Sequence, residues 1–255
     1  MHSPQFFKSI SCFALAILLS GCPLETVNTL NTTKFGAGRL PESEGSVRIQ
    51  NWLIEKLEVN FEGAMSGNGP GSFKQSYSGG VNILAVLPGT DLANEYVIMG
   101  AHYDHLGTNC FRASQSNEVC NGATDNATGV AALREIAEQI VDDGFVHRRT
   151  LVLALWDQEE QGLLGSQYYV NNPVFPLSQT VAYVNFDILG AKLLASLGNE
   201  TFIIGSESGG SALRNAVQSA ESNSSTNLDI RYLNAIFGHR QSDHTNFLAR
   251  GVPSV

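Results

Sequence analysis

The spacing of apolar and polar positions changes several times along the chain, and each change marks an element boundary. Residues 46–58 place Val47, Trp52, Leu53, Ile54 and Leu57 at helical intervals and predict an amphipathic helix. The glycine-rich stretch 63–80 breaks that period and predicts a hairpin or surface loop. Apolar runs follow at 81–87 and 96–99, bounded by turn residues, and predict buried strands. Over 126–141 the helical period returns with Val130, Leu133, Ile136, Ala137 and Ile140, and Asp125 and Asn126 stand where caps belong. Residues 150–156 predict a strand, 162–170 a helix, 181–186 a strand and 201–204 a weaker one. Helices are expected at 211–220 and, in short form, at 242–249.

Strands alternating with helices predict an α/β fold, a three-layer sandwich whose mixed, mostly parallel central sheet is flanked by helices. The 255 residues, 43% hydrophobic and 15% charged, suit one domain with a sizeable core. In such folds a ligand sits beyond the carboxyl ends of the strands.

The N-terminus reads differently. Lys8 precedes an apolar core at 10–19, too short to span a bilayer and of signal-peptide length. It ends in Leu19-Ser20-Gly21-Cys22, which resembles a bacterial lipobox. That resemblance makes residues 1–21 a lipoprotein signal peptide and Cys22 the lipid-bearing first residue of the mature chain. The protein is then an exported, membrane-anchored bacterial lipoprotein on the periplasmic or cell-surface side, touching the membrane through that lipid only. An ordinary cleaved signal with an incidental cysteine is the alternative. Residues 22–44, rich in Thr, Asn, Gly and Pro, are expected to be a tether, and 45–255 the folded domain. Cys110 and Cys120, in one polar loop, are expected to form a disulfide outside the cytoplasm. Zinc binding by that pair is the alternative, at a spacing that matches no thiolate motif.

A net charge of −9, with no basic run longer than Arg148-Arg149, argues against nucleic acid as a partner. The acids are not evenly spread. Four predicted strand ends or following loops carry metal-type ligands: His102-Tyr-Asp104, Asp125-Asn126, Asp157 with Glu159-Glu160, and Asp187. Taken singly, these are surface histidines, helix caps and solvated acids. Four at one edge of one sheet point to a cation.

His102-Tyr-Asp104, Asp125-Asn126-Ala-Thr-Gly129, Glu159-Glu160-Gln-Gly-Leu-Leu-Gly165-Ser166 and Asn185-Phe-Asp187 resemble, in order, the motifs of the M28 zinc peptidases. The similarity runs from about residue 45 onward. It implies a zinc-dependent aminopeptidase acting on peptides, with two zinc ions. His102 and Asp187 would hold the first ion, Asp125 would bridge both, and Glu160 would hold the second. Glu159 would be the general base, and Asp104 would orient His102 through its other ring nitrogen. A cis peptide is expected at Asp125-Asn126. Asp157 has no role in this scheme and is expected to be solvated or to cap a turn.

In the family a further histidine ligand follows, in a loop beyond the strand after Ser-Asp-His. This sequence has Ser242-Asp243-His244 and then ends at Val255. The resemblance therefore implies a C-terminally incomplete domain, through a partial gene model or a fragment, with a natural short form as the alternative. The first zinc site keeps its set, whereas the second keeps only Asp125 and Glu160 and is expected to fill weakly or not at all. His244 is the one residue nearby that could substitute. Two rival functions stay open: a glutaminyl cyclase-like enzyme with one zinc, and an inactive pseudo-peptidase acting as a binding module.

Overall fold

The structure is a computed structural model describing residues 24–31, 38–65, 72–107, 120–190, 200–224, 229–234 and 241–255. The expected signal peptide, Cys22 and Cys110 lie outside the described residues. Among those described, no helix is long and apolar enough to cross a membrane.

Helix α1 (Leu24–Asn31) and α2 (Glu44–Leu57) come first. Ser43 caps α2 by accepting a hydrogen bond from the Ser46 amide at 3.0 Å, and Glu44 and Lys56 suit the two ends of its dipole. Strands β1 (Glu62–Gly63), β2 (Lys74–Tyr77) and β3 (Gly80–Leu87) follow. Part of the expected 63–80 loop is thus a hairpin: Tyr77 pairs with Gly80 across a two-residue turn in which Gly79 has φ +85°. Then come β4 (Leu92–His102), α3 (Thr128–Asp142), β5 (Arg149–Trp156), α4 (Leu164–Asn171) and β6 (Thr180–Asn185). Strand β7 (Glu200–Ile204), α5 (Gly210–Asn223), β8 (Asp229–Leu233) and α6 (His244–Leu248) complete the described elements.

The main sheet runs β1-β3-β5-β4-β6, with β2 also on β3, while β7 and β8 form a separate parallel pair. Strands β5, β4 and β6 are parallel, and β1, β2 and β3 add an antiparallel flank. Residues 253–255 lie along the outer side of β6, with Tyr183 and Asn185 donating to Pro253 and Val255 carbonyls. Successive side chains of a strand face opposite ways, so β5 sends Leu151, Leu153 and Leu155 to one core and Val152, Ala154 and Trp156 to the other. Helices α2 and α3 cover the first face, with Ile49, Leu53, Ile136 and Ile140. Tyr169 of α4 and Phe247 of α6 cover the second. Both sheet faces are buried, which is why the strands read as continuous apolar runs.

Within the stretch expected to be a tether, residues 24–31 and 38–44 pack onto the domain. Helix α1 packs against α3, Leu30 enters the core, and Arg39 is fully buried. Amide and threonine side chains hid a docked helix whose apolar face is only Val27 and Leu30.

Ile136→Ala on the sheet-facing side of α3 should cost about 2–5 kcal/mol, read as a lower urea midpoint with an unchanged slope.

Candidate metal centre

Parallel registry gathers the predicted ligands. His102 ends β4 opposite Trp156, so the loop leaving β5 begins beside it. Gly100 pairs with Asn185, so Asp187 emerges at the same edge. Asp125 comes from the turn before α3, held by two contacts of its neighbour. The Asn126 amide donates to the Phe186 carbonyl at 2.8 Å, and its oxygen accepts from the Gly129 amide at 3.0 Å. A Cβ on Gly129 would lie 2.4 Å from that same carbonyl. The Asp125-Asn126 peptide is cis. Of the two expected helix caps, Asn126 therefore caps and Asp125 turns to the site instead.

One ligand atom each from His102, Asp125 and Asp187 lies within 4.8 Å of the others. His102 Nε2 stands 3.1 Å from Asp125 Oδ1 and 3.4 Å from Asp187 Oδ1. A tetrahedral zinc holds such atoms roughly 3.4 Å apart. Although both His102 nitrogens lie within ion-pair range of acids, neither makes a hydrogen bond of good geometry, and Asp187 Oδ1 has no hydrogen-bond partner either. Buried polar atoms normally find partners. Lone pairs aimed at a common point rather than at one another fit a small divalent cation.

Asp104 is fully buried, with Oδ1 3.3 Å from His102 Nδ1. Its two oxygens also accept the backbone amides of Glu159 (3.1 Å) and Glu160 (3.2 Å). One carboxylate thus faces the histidine and fixes the glutamate loop. That loop is irregular, with Gln158 and Leu163 at positive φ, so adjacent glutamates diverge. Glu159 Oε2 approaches His102 Nε2 to 4.0 Å, whereas Glu160 stays outside the three-residue group.

Electrostatics follow from crowding. Burial alone would lower the pKa of His102, but the carboxylates of Asp104, Asp125 and Asp187 outweigh it and hold it well above the usual range. Glu159 is pushed up to about 9, mainly by burial, with Asp243, Asp187 and Asp104 adding to it against the opposing pull of His102. Glu160 rises to about 7, through burial first and the Asp125 charge second. A divalent cation would relieve this repulsion.

Several residues here had no assigned role in the sequence reading. Asp157 is buried rather than solvated; its carboxylate accepts the Val81 and Gln158 amides, which makes it a turn-former. Asp187 Oδ2 accepts from Ser242 Oγ at 2.6 Å, Ser242 Oγ accepts from Asn185 Nδ2 at 2.7 Å, and Asn185 Oδ1 accepts from Tyr183 Oη at 2.6 Å. Trp156 Nε1 donates to Tyr183 Oη at 2.8 Å and closes the series. Ser166 donates to the fully buried Asp243, and Asn246 donates to Ser166. The Gly-Leu-Leu-Gly-Ser block is thereby tied to the Ser-Asp-His block. His244 is buried but is not part of the metal group. Arg39 reaches the backbone beside His102 and near Asp125. A lone arginine in a Gly-rich stretch of a chain poor in basic residues was the only signal for it.

The model of peptidase family M28 matches residues 82–255. The chain belongs to peptidase family M28. Leupeptin-inactivating enzyme 1 of Streptomyces exfoliatus is 33% identical over 121 residues, covering 47% of this chain and 25% of that protein. The LapA aminopeptidase of Legionella pneumophila shares the fold at TM-score 0.67 and 16% identity, over 99% of this chain and 63% of that one. Bacteroides thetaiotaomicron glutaminyl cyclase does so at TM-score 0.61 and 20% identity, over 92% of this chain and 83% of that one. This M28 chain spans a quarter of the Streptomyces protein's length and just under two thirds of the LapA structure.

In this M28 chain, Asp104→Asn turns one accepting oxygen into a donor facing a backbone N–H. Zinc affinity should fall about 10–100-fold, measured by competition with a chelating dye.

Proposed function

We propose that the protein is a zinc-dependent exopeptidase that removes N-terminal residues from peptides. The observation that carries this reading is the convergence of His102, Asp125 and Asp187 on one point, with the half-buried Glu159 carboxyl 4.0 Å from the histidine. These three would hold one zinc; a second would have Asp125 and Glu160. Bound zinc supplies a Lewis acid that polarises the scissile carbonyl and acidifies water.

The remaining work falls to the chain. Glu159 takes the proton as the water O–H bond breaks and the C–O bond forms, then delivers it to the nitrogen as the C–N bond breaks. Burial and neighbouring acids favour its protonated form, and His102 opposes them. Asp104 keeps the Glu159 backbone fixed through this cycle. Ser242 holds one Asp187 oxygen so that the other faces the centre.

The lipobox at 19–22 supports export and attachment through a lipid on Cys22, and the pair Cys110 and Cys120 supports a disulfide closing the polar loop after β4. Three ligands around one point, on a fold shared with a glutaminyl cyclase, also support a second reading, cyclisation of N-terminal glutamine. A glutaminyl peptide separates the two: free glutamine marks the peptidase, and a pyroglutamyl peptide with ammonia marks the cyclase.

Glu159→Gln should leave zinc uptake intact and lower kcat on an aminoacyl anilide by about 10²–10⁴-fold. Activity near that of the unmodified protein would remove Glu159 from the mechanism.

A further inference from the structure

Arg39 is the most completely enclosed cation among the described residues, with no exposed surface. Among the described residues, its hydrogen bonds all go to backbone carbonyls: Nε to Tyr103 at 2.7 Å, Nη1 to Leu30 at 2.5 Å and to Asn121 at 3.0 Å, and Nη2 to Gly122 at 2.9 Å. Tyr103 lies between His102 and Asp104, and Gly122 lies three residues before Asp125. A single guanidinium therefore joins α1, the loop carrying the histidine and the turn carrying the aspartate. Asp104, Asp125 and Glu160 act on it electrostatically, yet among the described residues it forms no ion pair within 4.0 Å.

That arrangement matters. A cation salt-bridged to Asp125 would occupy the lone pairs a metal needs. By bonding the carbonyls instead, Arg39 fixes the loops and offsets the repulsion among the acids without itself occupying an oxygen of Asp125 or Asp187. Neighbouring positions are fitted to it. Gly122 has φ +63°, and a Cβ there would lie 2.4 Å from both Arg39 Nη2 and the Asp125 carbonyl oxygen. A Cβ on Gly38 would strike the His105 ring at 2.5 Å. Only arginine offers a planar fork of five donors for four carbonyls; lysine has three donors on a point charge.

We infer that Arg39 is a positioning residue of the metal centre, locking residues 24–31 and 38–40 to the loops of His102 and Asp125 so that docking of these residues and metal uptake support one another. The inference rests on the metal-centre reading above.

The test uses the full chain, freed of metal and titrated with Zn2+ against a chelating dye and with Co2+ by visible absorption. Arg39→Lys keeps the charge and loses the fork; zinc affinity should fall about tenfold or more and the cobalt bands should shift. Ile140→Ala weakens the core at the end of α3 far from Asp125, without touching this segment or either loop. It should lower the Tm at least as much as Arg39→Lys and leave zinc affinity and the cobalt bands unchanged. Affinity lost in both variants in proportion to Tm, or in neither, overturns the inference. Should Arg39→Lys not fold, hydrogen exchange on the unmodified protein decides. Coupling is reciprocal, so zinc must slow exchange at the amides of 26–31 and 39–40, and exchange there that ignores zinc overturns the inference. Failure of the metal-centre reading looks different: the unmodified protein then takes up no zinc that His102→Ala abolishes.

Discussion

One buried imidazole set among carboxylates that repel each other is the constraint around which the molecule is organised. His102 has 1% of its side chain exposed and faces Asp104, Asp125 and Asp187 within 3.4 Å. Like charges this close in a poorly solvated site need a compensating cation or protons, and a rigid frame to keep them from moving apart. The parallel strands supply the frame. They bring the ends of β4, β5 and β6 to one edge, and the loops leaving them are held by hydrogen bonds from buried and half-buried side chains.

Two polar systems do that holding, on opposite sides of the site. On one side, donors run in a single direction from Trp156 through Tyr183, Asn185 and Ser242 to Asp187. Phe247 stacks on Tyr183 at 4.0 Å, so the tyrosine is fixed by packing as well as by hydrogen bonds. On the other side, Asp104 and Arg39 take up the backbone amides and carbonyls of the loops. Neither system touches the point of convergence, and each spends its donors so that ligand oxygens remain available. Orphaned groups that would weaken an ordinary core are, in this place, the working part of the design.

The sheet was legible because buried parallel strands write themselves as apolar runs, and 81–87, 150–156 and 181–186 did so. That His102, Glu159 and Asp187 would gather at one edge was legible because ionisable residues directly beyond such runs have few other reasons to be there. The remainder was not legible for physical causes. Helix α1 buries too narrow a face to reveal a period. Asp157 resembles its glutamate neighbours in composition, and only its contacts distinguish a turn-former from a ligand. Arg39 bonds to carbonyls, which every residue has, so its partners leave no mark in the sequence. Asn126 and Asp125 both look like helix caps, and only their contacts separate them: Asn126 accepts the Gly129 amide and Asp125 faces His102.

The docking of α1 also changes how an acyl chain on Cys22 would hold this domain. A free coil of the 22 residues once expected there would drift some 25 Å from its attachment on average. Helix α1 instead begins at Leu24 and is seated by residue 30, and two residues along the sequence from Cys22 can span at most about 7 Å. Were Cys22 acylated, a body docked that near to it would be held closer to the bilayer than one on a free coil.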